Sequence, residues 1–438
     1  MRILLLVKRR KDGWETNMKI EFKGGRISGR VSPPPSKSHT HRAFFMASLA
    51  KGRSTVKQSL LSDDTYATLE ACEAIGASVI HDVGDVFIDG GRLHFPKNPV
   101  DCRNSGTTMR LFTGICSLFS QPSTITGDET LIKRPMGPLL NALEQLDVHC
   151  ESDNGFPPVT VRGPNKGGSV SVDGSKSSQY ATSLIMAAPL VENDTVVTLT
   201  GNIVSRPYID ITVDIMEKFG ASVKRDSDKY TVKGGTGYRP CDYTVPGDPS
   251  SAAFPLVAGA LGGYVTVTGL DSEEKGDARL ISILEDAGCE ITRKDGEVTV
   301  KNKGRIKPLE IDMGDIPDLF PILAVLLSTA EGESRLYGAP HLRFKESDRI
   351  ETTVEMLTAV GADILPTEDG CTIKGKERLL GGTVDAKDDH RILMAAGIAS
   401  IVCENPVVFE GEECFSISYP AFLTDLERIG LRLEVTGE

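Results

Sequence analysis

One phrase of apolar and polar positions is written six times along this chain: three apolar residues spaced by three, a turn residue, then two apolar residues spaced by two. The copies are Leu69, Cys72, Ile75 with Ala77, Val79; Leu140, Leu143, Leu146 with Val148, Cys150; Val213, Met216, Phe219 with Ala221, Val223; Ile281, Leu284, Ala287 with Cys289, Ile291; Val354, Leu357, Val360 with Ala362, Ile364; and Leu423, Leu426, Ile429 with Leu431, Leu433. Five of the turn residues are glycine (Gly76, Gly220, Gly288, Gly361, Gly430) and the other is Asp147, at intervals of 68 to 73 residues. Spacing by three marks one face of a helix and spacing by two one face of a strand; a glycine between them marks a left-handed helix end. The pattern predicts an α/β protein of six helix-strand units, each long enough to be a small folding unit rather than a thin solenoid turn.

Roughly midway between these helices, polar cap-forming residues precede long apolar runs. They are Ser36-Lys37-Ser38, Ser105-Gly106-Thr107, Ser177-Ser178-Gln179, Asp248-Pro249-Ser250-Ser251, Asp315-Ile316-Pro317-Asp318 and Asp388-Asp389-His390. Runs such as 181–188 and 319–327 are apolar on every side, which predicts buried helices whose N-termini open onto something polar. Six N-termini are then available to one site, each offering free N–H groups and the positive end of a helix dipole to an anion.

The formal net charge is −12, yet Lys37, Arg42, Arg110 and Arg391 accompany those N-termini. Lys133, Arg134 and Arg206 lie in loops, and Arg343, Lys345 and Arg349 form a short cluster. Cations gathered this way in an acidic chain point to small, multiply charged substrates and away from nucleic acid. The nine cysteines are scattered with no Cys-x-x-Cys pair, which reads as reduced, cytoplasmic usage without a zinc signature. No stretch is long enough to span a bilayer, and the apolar run Ile3 to Val7 is too short for a secretory core. Residues 1–17 precede the first strand pattern at Met18 and read as either a surplus start or a disordered extension, to which no function is assigned.

In order along the chain stand Pro35-Ser36-Lys37-Ser38 through Arg42, Asn104-Ser105-Gly106-Thr107-Thr108-Met109-Arg110, Arg134-Pro135-Met136-Gly137, Ser177-Ser178-Gln179, Ser205-Arg206-Pro207-Tyr208-Ile209-Asp210, Gly247-Asp248-Pro249-Ser250-Ser251, Ile316-Pro317-Asp318, Arg343-Phe344-Lys345-Glu346-Ser347-Asp348-Arg349 and Asp389-His390-Arg391. Together these nine motifs closely resemble the 5-enolpyruvylshikimate-3-phosphate synthase family, from about Lys19 to the C-terminus. The resemblance implies a two-lobed inside-out α/β barrel, with three helix-strand repeats per lobe around buried parallel helices. It also implies two chain crossings, near Pro34 and Val245-Pro246. One lobe would hold residues 35–246 and the other 1–34 with 247–438, with the active site in the cleft between them.

The implied reaction moves the enolpyruvyl group of phosphoenolpyruvate onto the 5-hydroxyl of shikimate 3-phosphate by addition and elimination, releasing phosphate. No metal or organic cofactor is implied, and a cytoplasmic monomer with only small-molecule partners is expected. Position by position, Lys37, Ser38, Arg42, Ser177, Ser178, Ser205, Asp318 and Lys345 resemble shikimate 3-phosphate contacts. Gln179 stands near both substrates, and His341 occupies a slot where asparagine is common. Lys37, Gly106, Arg134, Arg349 and Arg391 resemble phosphoenolpyruvate contacts. Asp318 matches the proton acceptor at the attacking hydroxyl, and Glu346 the carboxylate for proton exchange at the methylene carbon, with Lys37 as the competing assignment. A side chain at position 106 would crowd a ligand approaching the helix N-terminus.

One position departs from the family. A lysine usually precedes the Ser-Tyr-Pro segment and contacts phosphoenolpyruvate; here that slot is Ile417, and no lysine follows Lys387. Several residues also carry plainer readings. Ser36, Ser105, Ser250 and Asp248 read singly as helix caps, Asp63-Asp64 as first-turn capping and Gly127-Asp128-Glu129 as a turn. Arg206 reads as a solvated loop charge, and His390 as a hydrogen-bonded structural residue. Two rival functions stand beside the main one. A UDP-N-acetylglucosamine enolpyruvyl transferase uses a loop cysteine that the stretch 127–136 lacks. A non-catalytic paralogue binding phosphorylated metabolites has Ile417 as its only support.

Overall fold

The computed structural model describes residues 18–82, 84–270 and 276–437. The expectation for residues 1–17 lies outside the described residues. Twelve α-helices are formed among them: α1 (Lys37–Leu49), α2 (Asp63–Ala74), α3 (Gly106–Cys116), α4 (Gly137–Glu144), α5 (Gln179–Ala187), α6 (Arg206–Lys218), α7 (Pro249–Gly262), α8 (Leu280–Asp286), α9 (Phe320–Leu327), α10 (Arg349–Ala359), α11 (His390–Ala399) and α12 (Phe422–Arg428).

The even-numbered helices carry the repeated phrase. Their predicted apolar positions are buried except Val354, which packs half-buried against the same core. Each helix closes on a left-handed residue, with φ of +105° at Gly76, +84° at Gly220, +95° at Gly288, +89° at Gly361 and +100° at Gly430. Asp147 takes the same turn at +60°, a conformation its short polar side chain tolerates better than most non-glycine residues. A strand follows each turn, such as 149–153 after Asp147.

The odd-numbered helices are the buried ones, and every residue of α9 and α11 is buried. Around them stand six four-stranded sheets. In one, 168–173 runs parallel to 195–200 across α5; 229–232 then pairs antiparallel with 195–200 and forms a hairpin with 223–226. The unit is therefore β-α-β-α-β-β, with the first helix inside and the second outside.

Two separate cores result. One runs from Ala43 to Val245 around α1, α3 and α5; the other joins Ile20–Val31 to Ala252–Leu431 around α7, α9 and α11. The chain passes between them twice at one point, where Ser36 N donates to Pro246 O and Asp248 N to Pro34 O, each at 2.8 Å. Distant strands close each ring: 242–244 lies parallel to 52–57, 27–31 parallel to 263–268, and Met18–Phe22 between 407–411 and 433–437. The result is the two-lobed inside-out α/β architecture expected, and it aims all six buried N-termini into one cleft.

Candidate active site

Two adjoining cavities of about 90 and 60 Å³ occupy that cleft. Lys37 and Ser38 at α1, Gly106 and Thr107 at α3, Ser178 and Gln179 at α5, Asp248 and Ser250 at α7, Asp318 before α9, and His390 and Arg391 at α11 all line them. A larger cavity of about 1050 Å³ lies at the opposite ends of α7, α9 and α11 and touches none of the motifs, so size does not identify the site.

Local sequence explains how these termini are held. Ser105 accepts from Thr108 N, Asp248 from Ser250 N and Asp389 from Arg391 N. Ser36 is the N-cap of α1 but makes no side-chain cap bond, and Ser250 is no cap at all, since Pro249 and Asp248 precede it. Asp63 and Asp64 do fall in the first turn of α2, and Asp128 Oδ1 holds the expected turn by accepting from Thr130 N and Leu131 N.

Eight cations line the two cavities: Lys37, Arg42, Arg110, Arg134, Lys176, Lys345, Arg349 and Arg391; four carboxylates, Asp64, Asp248, Asp318 and Glu346, stand against them. Eight less four leaves an excess of four positive charges inside a chain of net −12. Arg349, 1 % exposed, is the hub. It donates from Nε to Asp389 Oδ2 at 3.0 Å, from Nη1 to Asp318 Oδ1 at 2.9 Å and from Nη2 to Glu346 Oε2 at 2.5 Å. Arg391 Nη2 reaches Asp318 Oδ2 at 2.9 Å, and its Nη1 has no partner among the described residues. Arg134 bridges Asn104 at 2.6 Å and Glu346 at 3.5 Å. Lys37 pairs with Asp64 at 2.9 Å, and Arg110 donates to Gln179 at 2.7 Å.

Arg42 is 1 % exposed, and its recorded acceptors are all neutral: Thr212 Oγ1 at 2.7 Å, Ser38 O at 2.9 Å and Tyr208 O at 3.2 Å. Burial lowers this guanidinium to about 10. A buried cation with neutral acceptors is prepared for an external anion.

Burial pushes Asp318 and Glu346 up, but cations win at both. Arg391, Lys345 and Arg349 hold Asp318 below the usual carboxylate range, and Arg349 and Arg134 hold Glu346 well below it. Lys345 is lowered by burial, against the pull of Asp318. His341 drops to about 3 through burial and Lys345, so it is a neutral imidazole at pH 7, with neither ring nitrogen bonded among the described residues.

All fifteen residues named from the sequence line one cavity or the other: Lys37, Ser38, Arg42, Gly106, Arg134, Ser177, Ser178, Gln179, Ser205, Asp318, His341, Lys345, Glu346, Arg349 and Arg391. A Cβ built on Gly106 would lie 3.1 Å from the guanidinium nitrogens of both Arg110 and Arg134. Three of the readings made from the sequence change here. Arg343 leaves the predicted cluster and faces Asp348 at 2.8 Å and Glu351 at 3.1 Å. Arg206 opens α6 and pairs with Asp228. His390 lines the cavity with both ring nitrogens unbonded among the described residues.

Sequence reasoning took Asp64 only as first-turn capping, gave Tyr208 no role, and overlooked Lys176 and Asp277. Tyr208 sits inside a quoted motif, which was its signal. Asp277 carried none, because it enters the site only through contacts with distant segments. Ile417 lines neither cavity and packs against the core of its own lobe.

Known proteins of the same build give this geometry its context. Residues 22–426 match the EPSP synthase (3-phosphoshikimate 1-carboxyvinyltransferase) family. A 3-phosphoshikimate 1-carboxyvinyltransferase of Methanocorpusculum labreanum is 47 % identical over 417 residues, 94 % of this chain and 99 % of that protein. One from Methanococcus vannielii is 39 % identical over 428 residues, 95 % of this chain and 100 % of that protein. Among solved structures, an EPSP synthase from Acinetobacter baumannii superposes with a TM-score of 0.82 at 30 % identity, covering 96 % of this chain and 100 % of that one. These matches do not favour the UDP-N-acetylglucosamine reading. With six helix N-termini around one arginine-rich cleft and a family match over nearly its whole length, this chain belongs to the EPSP synthase family.

Proposed function

We propose that this protein transfers the enolpyruvyl group of phosphoenolpyruvate to the 5-hydroxyl of shikimate 3-phosphate, releasing phosphate, as a cytoplasmic monomer. Two lobes, 35–246 and 1–34 with 247–438, would close on the substrates. The two separate cores and the single crossing point support that division. Ser38, Arg42, Ser177, Ser178, Gln179, Ser205, His341 and Lys345 would hold shikimate 3-phosphate. Lys37, Arg134, Gln179, Arg349 and Arg391 would hold phosphoenolpyruvate, with Gly106 keeping its approach open.

The observation that carries this reading is the sharing of Arg349 and Arg391 between Asp318 and open space in the cavity. Without substrate, Asp318 is too well stabilised as an anion to take a proton readily. A phosphate or carboxylate arriving at the two arginines diverts their hydrogen bonds and charge. Asp318 then becomes more basic when the 5-hydroxyl must lose its proton. Glu346 stands in the same relation to Arg349 and Arg134, and exchanges the proton at the methylene carbon. The excess of positive charge stabilises the tetrahedral intermediate and the departing phosphate.

Purified protein given shikimate 3-phosphate and phosphoenolpyruvate, with each omitted in turn, tests the proposal. Phosphate release is expected only with both. No release at saturating phosphoenolpyruvate, while shikimate 3-phosphate still binds, would leave a binding protein instead.

A further inference from the structure

Behind the wall of the cavity lies a carboxylate that the reaction described above does not use. Asp277 occupies the short turn Gly276–Arg279 before α8 and is 4 % exposed. Its Oδ2 accepts from the Tyr208 hydroxyl at 2.9 Å and from the Ser250 hydroxyl. Its Oδ1 is buried with no partner among the described residues. The same Tyr208 hydroxyl stands 3.3 Å from Oδ2 of Asp318.

This bond crosses the cleft. Tyr208 belongs to α6, packed on the core of 43–245, whereas Asp277 and Asp318 belong to the opposite lobe. Beside it, Ser205 N donates to Gly314 O at 2.9 Å and Arg206 N to Asp315 Oδ1 at 3.0 Å. Asp277 therefore sits where the two lobes meet.

One hydroxyl carries one proton and here stands between two carboxylates. Arg349 and Arg391 each hold Asp318 at 2.9 Å, whereas no cation among the described residues forms an ion pair with Asp277. Two buried acids this close share their protons unequally, and the one without a cation retains the proton. Burial and Asp318 push Asp277 up to about 7, against the hydrogen bond from Ser250, the charge of Arg391 and the hydrogen bond from Tyr208. The charged or titratable groups facing it are thus Tyr208 from α6, Asp318 from the turn before α9 and Arg391 from α11. Ser250 of α7 is neutral, and Asp248 at the α7 terminus is itself raised by burial.

We propose that Asp277 is a positioning residue whose protonation, at the meeting of the lobes, turns the Tyr208 hydroxyl toward Asp318. When neutral, Asp277 donates its proton to the tyrosine oxygen, and the tyrosine donates its own to Asp318. When ionised, Asp277 accepts the tyrosine proton instead, leaving Asp318 without that bond. It also adds a negative charge beside a cavity that must receive anions. No bond to carbon or phosphorus is involved, and the proton lost goes to solvent. The inference rests on the reading of Asp318 as the acceptor at the substrate hydroxyl.

The test compares kcat/KM for shikimate 3-phosphate against pH in the wild type and in Asp277→Asn, whose amide imitates the neutral acid. The ratio of variant to wild type cancels the titration of the substrate phosphate. It is expected to rise by about tenfold between about pH 6 and 8. Calorimetry of shikimate 3-phosphate binding in buffers of different ionisation enthalpy is expected to find proton uptake near neutrality by the wild type and less by the variant. Asp277→Ala, which can neither donate nor accept, should be weaker than Asn at every pH. A constant ratio together with unchanged proton uptake would overturn the proposal. Should Asp277→Asn fail to fold, Tyr208→Phe must shift the same limb, and a wild-type profile there is equally fatal. Asp318→Asn keeps the outcomes apart: if it abolishes turnover while Asp277→Asn leaves the ratio flat, only the positioning role of Asp277 fails. If Asp318→Asn stays active, the underlying reading fails.

Discussion

The three buried helices of one lobe and the three of the other point into the same cleft with unlike N-termini. Helices α1, α3 and α5 open on Lys37, Gly106 and Gln179, with no acidic residue in the cap or first turn. Opposite them, Asp248 caps α7, Asp389 caps α11 and Asp318 lies in the turn leading into α9. Asp248 and Asp389 already accept hydrogen bonds from their own helices. Thr108 N and Gln179 N are taken by the neutral hydroxyls of Ser105 and Ser177, so the first set leaves its dipoles, uncompensated by any carboxylate, to an incoming anion. The second set has satisfied much of its own field, and Asp318 and Asp389 go on to anchor Arg349, with Arg391 on Asp318. On the proposed assignment, one fold used twice supplies a receptor on one side and, on the other, the proton-transfer carboxylates together with further cations for the substrates.

The sharpest way to break this division is at Asp318. Asp318→Asn is expected to lower kcat by about 10² to 10⁴, the range of a lost general base, with smaller changes in either KM. A variant turning over within tenfold of the wild type would remove Asp318 from the chemistry. The opposite signature belongs to the receptor side. Arg42→Met removes a buried cation and should raise the KM for shikimate 3-phosphate by roughly tenfold to a hundredfold, for a charged hydrogen bond of about 1.5 to 3 kcal/mol. If kcat falls more than KM rises, the two lobes do not divide the work in this way.

Much of this arrangement was legible because its signals are local. Asp147 filled the turn position of the repeat in place of glycine, and its φ of +60° follows from that place in the pattern. The six polar openings marked the site because an N-cap and the apolar run after it are contiguous in sequence. What escaped reading depends on pairings between distant segments. Ser250 looks like a cap, yet Asp248 holds that place and the serine hydroxyl goes to Asp277, 27 residues away. Arg343, Lys345 and Arg349 look alike on paper, yet the turn at Pro340–Phe344 faces Arg343 toward Asp348 and leaves the other two in the cavity.

Gly106 sharpens the comparison from the receptor side with a smaller effect. In Gly106→Ala the methyl lies 3.1 Å from two guanidinium nitrogens, so Arg110 and Arg134 must give way by a few tenths of an ångström. The KM for phosphoenolpyruvate should rise by about tenfold, with shikimate 3-phosphate affected less. Equal effects on both substrates would show that the two ligand regions are not separable there.

Acid stability distinguishes the carboxylates of the reactive side. Asp318 and Glu346 are lowered in the folded protein, so the unfolded chain binds more protons at acid pH. Their contribution is complete above the ordinary carboxylate values and is lost as pH falls through the folded ones. Asp277 has the opposite sign: raised to about 7, it favours the folded state below the ordinary value, and that contribution is lost as pH rises toward 7. Melting temperature against pH should therefore fall less steeply in acid for Asp318→Asn and decline less toward neutrality for Asp277→Asn. Parallel curves for both variants and the wild type would contradict these assignments.

The smallest effect is expected at Ile417, where the family usually carries a lysine. Its half-buried side chain packs on the core beneath the turn Phe415–Ile417 and reaches neither cavity. In Ile417→Lys, the methylene stem can retain part of that packing while the ammonium extends toward solvent or the cleft. One added charge-assisted contact contributes at most about 1.5 to 3 kcal/mol, less what is lost in packing and in ordering the side chain. The KM for phosphoenolpyruvate should fall by a factor of about three to ten, with kcat little changed. Wild-type kinetics in Ile417→Lys would mean that the cations already lining the cleft supply the charge this substrate requires. A fall in KM would identify the reactive side as incomplete on its phosphoenolpyruvate face, with the receptor side left intact.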